Sequence, residues 1–195
     1  MAARKVIQAG HPNLKKTNKE IKKFKSKVLK KLIKDLRDTM YKTGLIGIAS
    51  PQIAKNYSVF VTHPRTTKAR KLGKIDKLRV YINPKITFKS KAESIIYEGC
   101  GSVTDGAIFG PVSRPKGITV EALDEIEQKF RLTCDGILAR VIQHEIDHLN
   151  GIEFLERVND YSKIIAESYY RKTIRNSRMQ KQEVKITKID YKLID

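Results

Sequence analysis

The sequence predicts an α+β fold in which antiparallel or mixed sheets of short strands pack around a central helix that carries the HExxH string His144–His148, flanked by a long N-terminal helix and a basic C-terminal helix. Three observations predict it. Apolar residues recur at helical spacing early in the chain and again around residues 137–149. Between them the pattern changes to short runs of β-branched and aromatic residues, broken by Gly, Asp and Asn-Pro. Strands that follow one another without intervening helices favour antiparallel pairing over a Rossmann-like parallel sheet.

The first helix reads from Thr17, which forms a capping box with Glu20, through Ile21, Phe24, Val28, Leu32, Leu36 and Met40 to a stop at Gly44. Strands follow at 57–62, 78–82, 86–88, 94–97 and 118–123, with one more at 130–132. After Asp135-Gly136 a second helix carries Ile137, Leu138, Val141, Ile142, Glu145, His148 and Leu149 on a helical repeat and ends at Asn150-Gly151. Residues 161–180 read as a third, basic helix, and the tail after it fits either a strand or a disordered end.

A chain of 195 residues with 40% hydrophobic content suits one domain, residues 1–195, in which 161–195 form the basic helix and tail. The net charge of +19, from 40 Lys and Arg against 21 acids, is the one abnormal bulk property. Such a field draws polyanions, RNA foremost, although a lysine-rich solvated surface is the plainer reading. No apolar run reaches the ~18 residues of a membrane span. The first twenty residues lack the ~7–15-residue apolar stretch of a secretory signal. A cytoplasmic location without membrane contact is the expectation, and two cysteines are too few for a disulfide framework.

The string Gln143-His144-Glu145-Ile146-Asp147-His148-Leu149-Asn150-Gly151 carries the chemistry. On a helix His144 and His148 stand one turn apart on the same face, so both imidazoles reach one ion, with Glu145 beside them. A buried histidine pair satisfied by its neighbours is the alternative. A catalytic site of this kind needs a third protein ligand and keeps one position open for water. No histidine follows His148, and Glu153 and Glu156 sit too close to the helix end; Glu167 is more workable, and Cys100, just after a strand, is better still. A thiolate is a strong ligand for a first-row transition metal. Cys134, the competitor, reads as a small buried side chain.

Three segments together resemble the peptide deformylase family. Leu45-Ile46-Gly47-Ile48-Ala49-Ser50-Pro51-Gln52 is similar to its Gly-Ile-Gly-Leu-Ala-Ala-x-Gln, with Leu45 at the leading glycine; Glu98-Gly99-Cys100-Gly101-Ser102 is similar to Glu-Gly-Cys-Leu-Ser, with Gly101 at the leucine; and the histidine string matches the third motif throughout. The resemblance runs from about Ile7 to Val158 and includes Gly10 to Leu14, Ile82-Asn83-Pro84 and Arg114-Pro115. It implies hydrolysis of the N-formyl group of N-formylmethionyl nascent peptides, with a divalent metal on Cys100, His144 and His148. Ferrous iron is the implied ion, and zinc, nickel and cobalt also suit the donor set.

The same resemblance assigns proton transfer to Glu145 and oxyanion contacts to the Gly101 N–H and the Gln52 amide, and it places Ile46, Ile96, Ile137 and Val141 around a methionine side chain. Arg114 and Asp147 read either as supports for the ligands, the carboxylate orienting an imidazole or pairing with the guanidinium, or as a surface salt bridge, and Glu98 has the same two readings. Action on nascent chains would bring Arg171, Lys172, Arg175 and Arg178 onto ribosomal RNA. Leu45 is expected to narrow the cleft floor and Gly101 to loosen its loop, while the stretch 103–110 reads as about two residues longer than the family's and lacks its Pro and Arg. Two other readings stay open: a deformylase-like protein of impaired or altered activity that binds peptides or ribosomes, and an HExxH metallopeptidase.

Overall fold

A computed structural model describes residues 3–67 and 72–195. The first helix, α1 (Lys27–Thr43), is capped nine residues later than the capping box predicts, at Ser26 instead of Thr17, and the Ser26 Oγ accepts the Leu29 N–H at 3.1 Å. Residues 17–25 are not helical because tertiary partners satisfy their backbone. Lys19 bridges to Tyr57, and the Asn83 side-chain amide binds both main-chain groups of Ile21 at 2.9 Å each. The shifted start rotates the buried face: Leu29, Leu32, Ile33, Leu36 and Met40 turn inward, whereas Val28 is 61% exposed.

Nine strands follow among the described residues: β1 (Gly47–Ala49), β2 (Val59–Thr62), β3 (Arg79–Lys89), β4 (Glu93–Glu98), β5 (Ile108–Pro115), β6 (Gly117–Leu123), β7 (Lys129–Asp135), β8 (Ile165–Ala166) and β9 (Ile189–Leu193). They form a six-stranded sheet in the order β1-β2-β3-β6-β7-β9 and a three-stranded sheet in the order β4-β5-β8, with every pairing antiparallel. The fold is therefore α+β with antiparallel sheets. The segments expected at 78–82 and 86–88 are one strand, β3, whose register slips between Ile82 and Lys85. Pro84 lies in that slip and has no N–H to give the ladder. β5 is absent from the sequence reading because Gly110, Pro111 and Pro115 interrupt its apolar alternation.

The second helix, α2 (Gly136–Leu149), lies where its pattern places it. It packs on β1, β2, β6 and β7 of the large sheet and on β5 of the small one. Alternation along β1 to β3 sorts the side chains: Ile48, Val59, Val61 and Ile82 face α1, and Ala49, Phe60 and Tyr81 face α2. Phe60 stacks on Tyr81 at 4.4 Å, and each such buried aromatic contributes roughly 2–3 kcal/mol by its area alone.

The basic helix expected over 161–180 is not one helix. The segment runs as a 3₁₀ turn (Tyr161–Lys163), β8, a helical turn α3 (Glu167–Tyr169), a π-helical stretch (Tyr170–Ile174) and α4 (Arg178–Val184). Caps cut it into pieces: Asp160 accepts the Ser162 N–H and Ser177 accepts the Gln180 N–H, while Ile165 and Ala166 pair with β5 instead of coiling. The tail resolves as strand β9, and the Asp135 carboxylate accepts the main-chain N–H groups of Thr187 and Lys188 just before it. Among the described residues no helix is long and apolar enough to cross a membrane.

The displaced helix start is testable. Ser26→Ala should lower unfolding stability by about 1 kcal/mol through loss of the cap, and Thr17→Ala by less than about 0.5 kcal/mol, measured by urea denaturation.

Candidate metal centre

Cys100 follows β4, and His144 and His148 project from α2; one ligand atom from each lies within 4.8 Å of the others. This group is the one found among the described residues that offers three such donors in a cluster. The Cys100 Sγ stands 3.2 Å from His148 Nε2 and takes the Ser102 N–H at 3.4 Å. Cys134 lies elsewhere in the core against β6, with burial pushing its thiol well up. The downstream acids are not part of the group: Glu156 pairs with Lys15, and Glu167, which lines the same cleft, pairs with Arg171.

Glu98 holds the cluster's frame. It accepts Arg114 Nε and Nη2 at 2.8 and 3.1 Å, Arg140 Nη1 at 2.7 Å and His144 Nδ1 at 3.2 Å. With Nδ1 donating to the carboxylate, the lone pair of His144 is at Nε2, aimed at the cluster. Burial alone would raise the Glu98 carboxyl, but the Arg114 charge and the His144 and Arg114 hydrogen bonds overrule it and hold it well below the usual carboxylate range. Arg114 continues to Asp147 at 2.7 Å, and Asp147 to Arg157 at 2.7 Å. Asp147 thus braces the guanidinium, not an imidazole. The sequence reading missed Arg140, which also binds Ser94 O and Val112 O. It stands one turn before His144 on α2, and nothing in the sequence marks that position until β4 lies against the helix.

Glu145 is buried beside the histidines, and its Oε2 has no hydrogen-bond partner; neither has His148 Nδ1. Burial pushes the Glu145 carboxyl up to about 7, against the pull of the His144 and Arg114 charges. Gly47 makes the close approach possible, since a Cβ there would stand 2.7 Å from Glu145 Oε1 and 2.5 Å from Val141 Cγ1. Gln52 is locked from behind: its Oε1 accepts the Ala49 N–H at 2.8 Å, which turns Nε2 toward Ser102 Oγ at 3.3 Å and Cys100 Sγ at 3.8 Å. These side chains open into a cleft of about 240 Å³, also lined by Ile46, Ile96, Ile137 and Val141.

A family model described as polypeptide deformylase matches residues 3–163. The chain belongs to the peptide deformylase family. Peptide deformylase 1 of Ralstonia nicotianae is 38% identical over 156 residues, which cover 80% of this chain and 86% of that protein. A class I type b peptide deformylase from Acinetobacter baumannii, solved with Met-Ala-Ser bound, matches with a TM-score of 0.73 at 30% identity, over 81% of this chain and 100% of that one. The peptide deformylase of Synechococcus elongatus in complex with actinonin matches with a TM-score of 0.72 at 31% identity, over 84% and 82%.

Deformylases are metal-dependent, and the donors here fit a dication: one sulfur and two imidazole nitrogens, buried, with an unpartnered carboxylate oxygen alongside. Two of the departures from the deformylase motifs, Leu45 and Gly101, belong together. A Cβ on Gly101 would lie 3.2 Å from Leu45 Cδ1, so the Leu45 side chain sits in the space that a side chain at 101 would enter. The loop is not loosened as the bare glycine suggests, because Gln8 Nε2 donates to the Gly101 carbonyl at 3.0 Å and Gln8 Oε1 accepts the Asp105 N–H at 2.9 Å. Thr104 and Asp105 take left-handed backbone in the turn before β5.

The exchange has a measurable signature. Gly101→Leu alone should overpack the loop and cost roughly 1–3 kcal/mol, and adding Leu45→Gly should recover most of that loss, read as a coupling energy in a double-mutant cycle by denaturation.

Proposed function

We propose that residues 1–195 act as one catalytic domain that hydrolyses the formamide of N-formylmethionyl nascent peptides, releasing formate and a free N-terminus, in the cytoplasm. The observation that carries this reading is the convergence of Cys100, His144 and His148 with Glu145 and Gln52 at one end of a peptide-sized cleft. Cys100, His144 and His148 would hold the metal, ferrous iron first by family resemblance, with zinc, nickel or cobalt able to replace it. When bound, the ion supplies Lewis acidity and a nucleophile at neutral pH.

The chain's own residues do the rest. Ile46, Ile96, Ile137 and Val141 take the methionine side chain and thereby fix the formyl group at the cluster. Glu145 receives the proton of the attacking water and returns it to the departing amine nitrogen as the C–N bond breaks. The Gly101 N–H and Gln52 Nε2 donate to the developing oxyanion; Gln52 does so without reorganising because Ala49 already holds its carbonyl end. Glu98 keeps His144 in the tautomer that binds metal.

Anaerobically purified protein with ferrous iron should release formate from formyl-Met-Ala-Ser. Glu145→Ala should lower kcat by about 10²- to 10⁴-fold while metal content stays intact, whereas Cys100→Ser should lose metal. No formate with iron, nickel, cobalt or zinc would overturn the reading, and metal retained in Cys100→Ser would point to a metallopeptidase-type ligand set instead.

The exposed cations Lys172 and Arg178, with the half-buried Arg175, add a basic patch suited to ribosomal RNA. Cosedimentation with ribosomes should weaken steeply with salt and fall further when these three are changed to Ala; binding unmoved by either change would remove the ribosome from this account.

A further inference from the structure

We propose that Gln180 is a specificity-determining residue: its side-chain amide caps the free edge of β4 at Tyr97 and so limits how much of a peptide backbone the cleft can pair. The inference rests on the deformylase reading for the kind of ligand.

The geometry begins with β4 itself. Its one strand partner is β5, and the residue opposite Tyr97 is Pro111, which has no N–H. Tyr97 is therefore a position whose N–H and C=O point to the other edge, toward α4 and the cleft; by alternation Gly99, two residues nearer the metal cluster, presents its groups the same way. A peptide leaving the cluster between the two cleft walls, Leu45 to Gly47 on one side and Ile96 to Gly101 on the other, runs along this edge. It meets Gly99 first and Tyr97 next, and would add itself to β4 as an extra strand.

That edge is already taken at Tyr97. Gln180 Oε1 accepts the Tyr97 N–H at 3.2 Å, and Gln180 Nε2 donates to the Tyr97 carbonyl at 3.1 Å. The carboxamide reproduces the double exchange that one residue of an antiparallel neighbour makes. Its remaining N–H goes to Tyr170 Oη at 3.3 Å, and the side chain is only 2% exposed. Tyr170 in turn lies flat on Phe109, with centroids 4.0 Å apart and planes 7° from parallel, so the cap is fixed from above. Gln180, Tyr170 and Val184 all line the cleft, and all lie beyond residue 163, where the family match ends.

Main-chain recognition consequently stops at Gly99. The methionine and the one or two residues after it are held, and longer peptides gain nothing further. The test compares formyl-Met-Ala-Ser with the same peptide lengthened to six residues, on the iron-loaded enzyme and on Gln180→Ala and Gln180→Met variants. Met at 180 keeps the volume without the amide and guards against a variant that fails to fold. The native enzyme should give equal kcat/KM for the two lengths within twofold. The variants should favour the longer peptide about tenfold, the worth of one pair of main-chain hydrogen bonds, through KM and not kcat. Calorimetric binding of the unformylated peptides of both lengths should show the same pattern. A native enzyme that already favours the longer peptide, variants without length dependence, or no binding by either protein would each overturn the proposal. Because binding requires no turnover, absence of formate release alone would count against the deformylase reading and leave the binding comparison to decide this one.

Discussion

The carboxylate of Glu98 is the constraint on which the rest depends. It sits at the end of β4, binds Arg114 from β5, and reaches Arg140 and His144 on α2, so one buried anion joins both strands of the small sheet's first pair to the helix that carries the histidines. Buried ion pairs contribute little net stability against an apolar equivalent, but removing one member leaves an uncompensated charge that costs about 3–5 kcal/mol. Such a network tolerates few alternative geometries. It converts the meeting of the small sheet and α2 into a fixed imidazole orientation next to a thiol two residues beyond the end of β4, the kind of positioning a metal site demands.

Much of this was legible in the chain because the relevant signals are local. The spacing of His144, Glu145 and His148, the Asp135-Gly136 start and the Asn150-Gly151 stop all lie within one helix, and α2 has the predicted bounds to within a residue. The signals that misled were local too, but tertiary contacts outweighed them. Thr17 and Glu20 form a sound capping box on paper, yet the backbone at Ile21 is satisfied by Asn83, more than sixty residues away, so the helix waits for Ser26. The apolar spacing of 161–180 suits a helix until Ile165 and Ala166 find Phe109 and Ile108. Arg140 was invisible for a different reason: an arginine one turn before His144 has no pattern of its own until β4 is laid against the helix.

Leu45 and Gly101 carry a related lesson about motif departures. Taken singly, each looks like damage, one filling a cleft and the other loosening a loop. In three dimensions the two positions adjoin, and volume removed at one is supplied by the other. The main-chain N–H of residue 101 is kept through the exchange, and that group, not the side chain, is what the proposed chemistry uses.

The pairing of β9 with β7 bears on how the polypeptide is made. More than fifty residues separate the two strands, and the edge of β7, with Phe130 and Leu132 inward and Cys134 beside them, stays open until Ile189 to Leu193 arrive. Closing so long a loop is entropically slow, and an uncovered strand edge is a template for wrong partners. During vectorial synthesis the histidine helix therefore emerges well before the strand that finishes the large sheet, and the β7 edge stands uncovered in that interval.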